Sequence, residues 1–352
     1  MKPIRVGVLG ATGAVGQRFI QLLARNPWFR ITAVAASGRS TGARYAEACT
    51  WRLSAHCPEV VRDLVVQPCE PGLDCDLVFS ALPADIAGEV ELAFAAAGYG
   101  VLSNASSHRM DPDVPLLVPE VNSEHLALVN VQRKRRGWGK GFIVTDPNCS
   151  TAGLSVALKP LHDAFGVRKV MVTTMQALSG AGYPGVPSLD SLDNVVPYIG
   201  GEEEKLCREP QKILGALAAD GQSVAPAEMV ISPSCNRVAV RDGHMEAVSV
   251  ELGCRATLDE VLAAFRGFRS EPFALGCPSA VNPTIVVRDE PDRPQPVLDR
   301  DEGAGMAVVV GRVRPCQIFD YKFMVLSHNT VRGAAGGAIL NAEMMAARGM
   351  IG

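Results

Sequence analysis

Short apolar runs and helical stripes alternate along the first half of the chain. Ile4–Leu9 reads as a buried strand. A glycine-rich turn and an amphipathic stripe through Phe19, Leu22 and Leu23 follow it. Residues 31–36, 76–83, 100–104 and 141–145 read as further buried strands, and 85–97 as a helix that stops at Gly98. Strands alternating with helices predict a Rossmann-like, doubly wound parallel sheet.

Past residue 149 the pattern changes. Leu154, Leu158, Leu161 and Phe165 mark a helix, in which Pro160 predicts a kink or an early stop. Residues 170–176, 229–232, 244–250, 306–311 and 323–326 read as strands, with a helix at 258–268. Many strands with few crossover helices predict a mixed, largely antiparallel sheet covered by helices on one face, an α+β domain. Residues 279–300 are rich in Pro and Asp and read as loop. The stretch 333–344 reads as a helix of small residues that returns to the first domain. The expected fold is therefore α/β overall, with one domain of residues 1–148 and 327–352 and a second of residues 149–326.

Composition adds limits. The 352 residues suffice for two cores, and a net charge of −3 gives no electrostatic footprint for nucleic acid or an anionic membrane. The basic run 133–136 reads as a solvated loop. The ten cysteines form no Cys-x-x-Cys pair, which argues against zinc or a redox dithiol, so no metal is expected. The start Met1-Lys2-Pro3 leads straight into a strand without a leader pattern, and no apolar run approaches a membrane span. A reduced, cytoplasmic protein is the simplest expectation.

Three stretches carry chemistry. Gly10-Ala11-Thr12-Gly13-Ala14-Val15-Gly16 lies between strand and helix, where backbone N–H groups bind phosphate. The second strand ends without the acidic residue of an NAD site. Ser37, Arg39 and Ser40 stand there instead and suit a 2′-phosphate, so NADP is expected. Ser80 and Ala81 close another strand at the sheet end where ligands of such folds bind. Cys149 sits where a strand meets a helix. Free N–H groups and the helix dipole there predict a lowered thiol pKa and a nucleophilic thiolate. A nucleotide domain followed by such a cysteine suggests aldehyde oxidation through a thioester, which needs an acid/base. Of six histidines, His244 stands out, behind Gly243 and close after Arg237.

Taken together, the chain resembles aspartate-semialdehyde dehydrogenases of the archaeal and fungal type over essentially its whole length. The motifs that carry this are residues 10–16, 37–40, 104–110 (Asn-Ala-Ser-Ser-His-Arg-Met), 118–122, Pro147-Asn148-Cys149-Ser150-Thr151, 176–182, Gly201-Glu202-Glu203-Glu204-Lys205 and 237–244. The resemblance implies Cys149 as nucleophile, His244 as acid/base and Gln176 as the residue that positions the thioester. It implies Arg237 as the grip on the substrate carboxylate and Glu202 as partner of the substrate ammonium, although spacing alone does not say which of Glu202, Glu203 and Glu204 turns inward. Arg109 and Lys205 match the phosphate-binding pair, and Asn148 adjoins them. Read without the resemblance, both cations are exposed charges. Cofactor contacts are implied at Gly10, Thr12, Gly13, Ala14, Val15, Ser37, Arg39, Ser40, Ser80, Ala81, Ser179, Gly180 and Asn329. One departure is Asp146, where the family commonly has Asn, and a charge there would oppose thiolate formation.

The activity so implied interconverts 4-phospho-L-aspartate and L-aspartate 4-semialdehyde with NADP(H) and phosphate, serving lysine, threonine and methionine synthesis. The family forms dimers or tetramers through the second domain, so a homo-oligomer is expected. Two other readings keep the scaffold: a reductase of malonyl-coenzyme A, or an inactive NADP-binding protein. Ser150 argues against the relatives acting on acetylglutamyl phosphate, which carry an aromatic residue there.

Overall fold

The computed structural model describes residues 2–352. Its first sheet comprises β1 (Ile4–Leu9), β2 (Phe29–Ala36), β3 (Val66–Pro68), β4 (Leu77–Ser80), β5 (Gly100–Ser103) and β6 (Phe142–Thr145). The strand order is β3-β2-β1-β4-β5-β6, and every neighbouring pair is parallel. The order reverses between β1 and β4, and a doubly wound sheet opens its ligand crevice at the carboxyl ends beside that point. Strands β4, β5 and β6 are buried on both faces, which is why they read as unbroken apolar runs.

The second sheet comprises β7 (Val167–Gln176), β10 (Val230–Arg237), β11 (His244–Leu252), β12 (Ile285–Arg288), β13 (Val308–Pro315) and β14 (Tyr321–Ser327). The short strands β8 (Ala216–Leu217) and β9 (Val224–Ala225) form a separate hairpin. The order β10-β7-β11-β14-β13-β12 has parallel outer pairs and antiparallel inner ones. Helix Cys149–Phe165 covers one face, its Leu154, Leu158 and Leu161 sharing a core with Val170, Val172, Val248, Val250, Phe323 and Val325. On the other face Met171 and Thr173 are exposed.

Several elements differ from the expected ones. Pro160 does not stop its helix, which runs on to Phe165; the missing N–H is tolerated inside a buried, well-packed element. Strand β10 extends through Pro233 because it is an edge strand, where a missing donor costs no ladder bond. The stretch 279–300 is not all loop. It contributes β12, which pairs with β13, and a short helix Pro296–Asp299. The basic run is the last turn of helix Leu128–Arg136, where cations complement the dipole and Gly137 at φ 69° ends the helix. Arg136 there pairs with Asp111 and Asp113.

The C-terminal helix is Gly336–Ala347, preceded by a wide turn Val331–Ala335 where a continuous helix from Gly333 was expected. Ala335, Ala338, Ile339, Ala342 and Met345 of this segment join Val6, Val8, Phe19 and Ile20 in one core, so the chain end does return to the first sheet. No helix among the described residues is long and apolar enough to cross a membrane.

Candidate active site

Strand β6 delivers the chain through buried Asp146 and Pro147 to Asn148, the N-cap of the next helix. The Asn148 Oδ1 accepts from the Ser150 N–H at 3.0 Å, and the Asn148 N–H donates to Glu209 Oε2 at 2.7 Å. Cys149 is thus the first residue of a pinned helix. The C-terminal turn crosses directly over it. A Cβ on Gly333 would lie 2.8 Å from the Cα and Cβ of Cys149, so only glycine permits that approach. The sulfur meets His244 from β11, with Sγ and Nε2 3.1 Å apart. The other ring nitrogen, Nδ1, accepts the Ala177 N–H at 3.0 Å.

The electrostatics differ from the expected picture. Burial pushes the Cys149 thiol up to about 12, and Glu202 pushes in the same direction. Arg109, Arg237 and the Ser150 N–H favour the thiolate but do not outweigh desolvation, so the helix terminus alone does not make the resting sulfur acidic. Burial, then Arg237 and His328, lower His244 to about 3, which leaves a neutral ring. Burial also raises the Asp146 carboxyl well above the ordinary range, against the pull of Arg109 and Arg332, which works against a charge at that position.

A polar shell surrounds the pair. Glu202 is the glutamate that turns inward: both its oxygens accept from Asn148 Nδ2 at 2.9 Å, one from Lys205 Nζ at 2.9 Å and the other from Gln176 Nε2 at 3.2 Å. Burial works against its charge, but Lys205, Asn148 and Gln176 more than offset this and hold the carboxyl below its usual range. Glu203 accepts the Cys235 N–H instead, and Glu204 is exposed. Arg237, at the end of β10, donates to the Ala177 carbonyl at 2.7 Å and stays close enough to Cys149 to act on its charge. Arg109 is buried, contrary to its reading in isolation, and pairs with Glu209 at 2.9 Å. Lys205 is partly buried against Glu202.

Two residues of this shell escaped the sequence reading. Glu209 ties Arg109 to the Asn148 corner. Lys212 donates to the carbonyls of Arg109, Asp111 and Val114 and so holds the Arg109 loop. Their only signal was position, about two and three turns beyond Glu202 on the same helix, Glu202–Ile213.

The crevice of the first sheet opens next to this shell. The turn Gly10–Gly16 leaves the N-terminus of helix Ala14–Leu23 without a side-chain cap or an acidic residue in its first turn, so the backbone donors are open to an anion. Gly10 adopts φ +73° and lies against Ala81, where a Cβ would come within 2.7 Å of the Ala81 carbonyl oxygen. Thr12, Gly13, Ala14 and Val15 all retain solvent access. Ser37 and Arg39 are exposed beyond β2 and Ser40 partly so, and no acidic partner pairs with Arg39 among the described residues. The Ser80 side chain is buried against Glu91, which leaves the main chain of its strand end at the crevice.

Near the sulfur, a Cβ on Gly180 would lie 3.0 Å from His244 Nε2. Asn329 fastens this wall: its Nδ2 donates to Ser179 Oγ at 2.8 Å and its Oδ1 accepts the Gly243 N–H at 2.9 Å. These donors, cations and glycines fit a dinucleotide phosphate. No group of three or more potential metal ligands occurs among the described residues.

Comparison with known proteins agrees with this geometry. The family model "Semialdehyde dehydrogenase, NAD binding domain" matches residues 5–129, and "Semialdehyde dehydrogenase, dimerisation domain" matches residues 158–332. The chain is 54% identical over 341 residues to an aspartate-semialdehyde dehydrogenase of Archaeoglobus fulgidus, covering 97% of each chain. It is 48% identical over 361 residues to that of Candida albicans, covering 99% of each. Among solved structures, the Candida albicans enzyme with NADP superposes with a TM-score of 0.92 at 46% identity, covering 99% of this chain and 100% of that one. The Vibrio cholerae enzyme II complexed with ASA gives 0.76 at 28% identity, covering 98% and 99%.

Proposed function

The chain belongs to the aspartate-semialdehyde dehydrogenase family, and from that premise we propose that it interconverts L-aspartate 4-semialdehyde and 4-phospho-L-aspartate through a thioester on Cys149. The observation that carries this reading is the 3.1 Å contact between Cys149 Sγ and His244 Nε2 at the head of a helix that borders the dinucleotide crevice. Cys149 is the nucleophile and His244, in hydrogen-bond contact with it, the acid/base. Gln176 and Asn148 orient the acyl group from either side of Glu202. Arg237 takes the substrate carboxylate by a two-pronged contact, Glu202 takes the ammonium, and Arg109 with Lys205 takes the phosphate.

NADP is the proposed cofactor. Gly10, Thr12, Gly13, Ala14 and Val15 would hold its pyrophosphate, and Ser37, Arg39 and Ser40 its 2′-phosphate. The main chain at Ser80 and Ala81 and the wall of Ser179, Gly180 and Asn329 would border the rest. When bound, the nicotinamide supplies or takes the hydride.

The division into residues 1–148 with 327–352 and residues 149–326 is supported by the separate cores around the two sheets. The exposed face of the second sheet, with Met171 and Thr173, supports a homodimer or homotetramer assembled there. The ten free cysteines support a reduced, cytoplasmic setting, and the activity would serve lysine, threonine and methionine synthesis.

An acyl donor without an ammonium group, such as malonyl-coenzyme A, would leave the buried Glu202 without its substrate partner. The amino-acid acyl phosphate is therefore the better fit. The test is NADPH formation from semialdehyde plus phosphate by the wild type and by Cys149→Ala. Loss of at least a thousandfold is expected; retention within tenfold removes the thioester reading. Running the wild type in reverse with malonyl-coenzyme A distinguishes the two donors.

A further inference from the structure

Four neighbouring strands of the first sheet begin at one cavity. Ile4 of β1, Leu77 of β4, Gly100 of β5 and Phe142 of β6 are each the first residue of their strand. All four line a hollow of about 870 Å³ under the amino edge of the sheet. The dinucleotide crevice lies at the opposite, carboxyl edge. The six residues of β1 separate the two, about 20 Å at about 3.3 Å per residue. The volume falls within the range of small-molecule sites, about 300–1,000 Å³.

The floor of the cavity is apolar. Ile4, Leu77 and Phe142 are buried there, and Ile351 lines the wall beside them. A Cβ on Gly100 would stand 2.4 Å from both Leu77 and Phe142, so glycine lets the two side chains meet as one surface.

The rim is cationic. Lys2, Arg5, Arg133 and Lys140 line it, and Asp76 is the one acidic side chain of the lining among the described residues. Asp76 is committed to Arg5, whose Nη2 donates to it at 2.8 Å and whose Nη1 pairs with Asp74. Lys2, Arg133 and Lys140 have no carboxylate partner among the described residues.

Arg133 belongs to the basic run 133–136, which the active site does not use. Arg136 of that run pairs with Asp111 and Asp113, but Arg133 turns to the cavity. Its Nε and Nη2 donate to the Lys140 carbonyl at 3.1 and 2.7 Å, and its Nη1 makes no hydrogen bond among the described residues. Burial works against its charge, and no neighbouring acid offsets this. A partly buried cation is ordinarily matched by a counter-charge. The guanidinium carbon lies 5.4 Å from the centroid of the Phe142 ring, so the unmatched charge stands directly beside the apolar floor.

We propose that this cavity is a binding site for a small organic anion, with the anionic head among Lys2, Arg133 and Lys140 and an apolar, ring-sized body over Leu77 and Phe142. The site is separate from the catalytic one and shares no residue with it. A bare inorganic ion is the poorer fit, because the floor would strip part of its hydration shell and replace it with nothing. A nucleic-acid backbone is the poorer fit as well, because it needs a row of cations along an open surface, not three around a hollow.

The probe for the test is 8-anilinonaphthalene-1-sulfonate, an anionic head on apolar rings whose fluorescence rises in an apolar cavity. It is titrated into enzyme saturated with NADP, which keeps the probe out of the dinucleotide crevice. Binding with a Kd below about 100 μM is expected. The double variant Lys2→Glu with Lys140→Glu should weaken it at least about tenfold, because like charges replace the cations at the head. Both lysines are exposed and unpaired among the described residues, so the variant should fold and turn over as the wild type does; circular dichroism and kcat verify this. The same rings without the sulfonate, 1-anilinonaphthalene, should also bind at least about tenfold more weakly. Inorganic phosphate should displace the probe only above about 10 mM, since it has no body to cover the floor.

Absence of binding to the NADP-saturated enzyme overturns the proposal. A smaller loss in the double variant places the probe on another apolar surface and overturns it too. A smaller loss with the uncharged rings removes the anionic head from the argument, and displacement by phosphate at lower concentration removes the apolar body; either result overturns the proposal.

Discussion

Two buried carboxyl groups, Glu209 and Glu246, show how differently the same side chain can be used. Glu209 is paired, with Arg109 Nη1 at 2.9 Å and the Asn148 N–H at 2.7 Å. Replacing it by Gln removes the charge that balances buried Arg109. It also turns one acceptor into a donor against the Asn148 N–H. Breaking a buried pair costs about 3–5 kcal/mol, and Glu209→Gln is expected near the lower end, about 3 kcal/mol, by urea unfolding. The same variant should raise KM for phosphate more than it lowers kcat, because Arg109 loses its anchor. Glu246 is the opposite case. Neither of its oxygens has a partner, and burial raises its carboxyl well above the ordinary range. The folded protein therefore keeps a proton that the unfolded chain releases above about pH 4.3, and stability is lost as pH rises from there through the raised folded value. Glu246→Gln removes that loss. Its melting temperature should exceed the wild type's at about pH 8, with the gain shrinking towards about pH 5; an equal gain at both values contradicts the argument.

At the scale of elements, the helix Cys149–Phe165 owes its position to close approaches on two sides. Gly153 faces Ser327 at the end of β14, where a Cβ would come within 2.4 Å of the hydroxyl oxygen. Gly333 lets the C-terminal turn pass over Cys149, and the wide turn Val331–Ala335 supplies the curvature that a regular helix lacks. Gly333→Ala forces the turn and the nucleophile apart. A loss of about a hundredfold in kcat is expected from a displacement near 1 Å, with a stability cost of about 1–3 kcal/mol for the overpacked contact. Turnover by the folded variant, with circular dichroism to verify folding, checks this. The helix head does not by itself make the sulfur acidic, because desolvation and Glu202 outweigh the Ser150 N–H and the two arginines.

Across the whole molecule, the first sheet is covered on both faces while the second is covered on one. Met171 and Thr173 on β7 and Val230 on β10 are left exposed on one face of the six-stranded sheet. A sheet face of that kind is apolar enough to pack against a copy of itself. The double variant Met171→Lys with Thr173→Arg places like charges across such an interface. Analytical ultracentrifugation should then find a monomer where the wild type sediments as a dimer or larger; unchanged sedimentation would place the interface elsewhere. The C-terminal segment links the halves, since its helix belongs to the first core while Asn329 and Gly333 reach the second domain's loops and the nucleophile.

Local pattern carried a large part of this protein. The unbroken apolar strands, the glycine turn after β1 and the Cys149 corner are legible because each is a property of consecutive residues: period, turn chemistry and the strand-to-helix change. The resemblance then named the companions of Cys149, and the structure gathers Gln176, Glu202, Lys205, Arg237 and His244 around it. Local pattern failed wherever a partner distant in sequence decided the outcome. Strand β12 exists because β13 offers it an edge, and β10 passes through Pro233 because no strand pairs with its outer side at that position. Glu209 and Lys212 matter only because the fold brings the Arg109 loop to their helix. The ionisation of Cys149, Asp146 and His244 was likewise settled by burial. Desolvation is set by all the atoms around a group, so only the assembled tertiary structure could decide which charges survive.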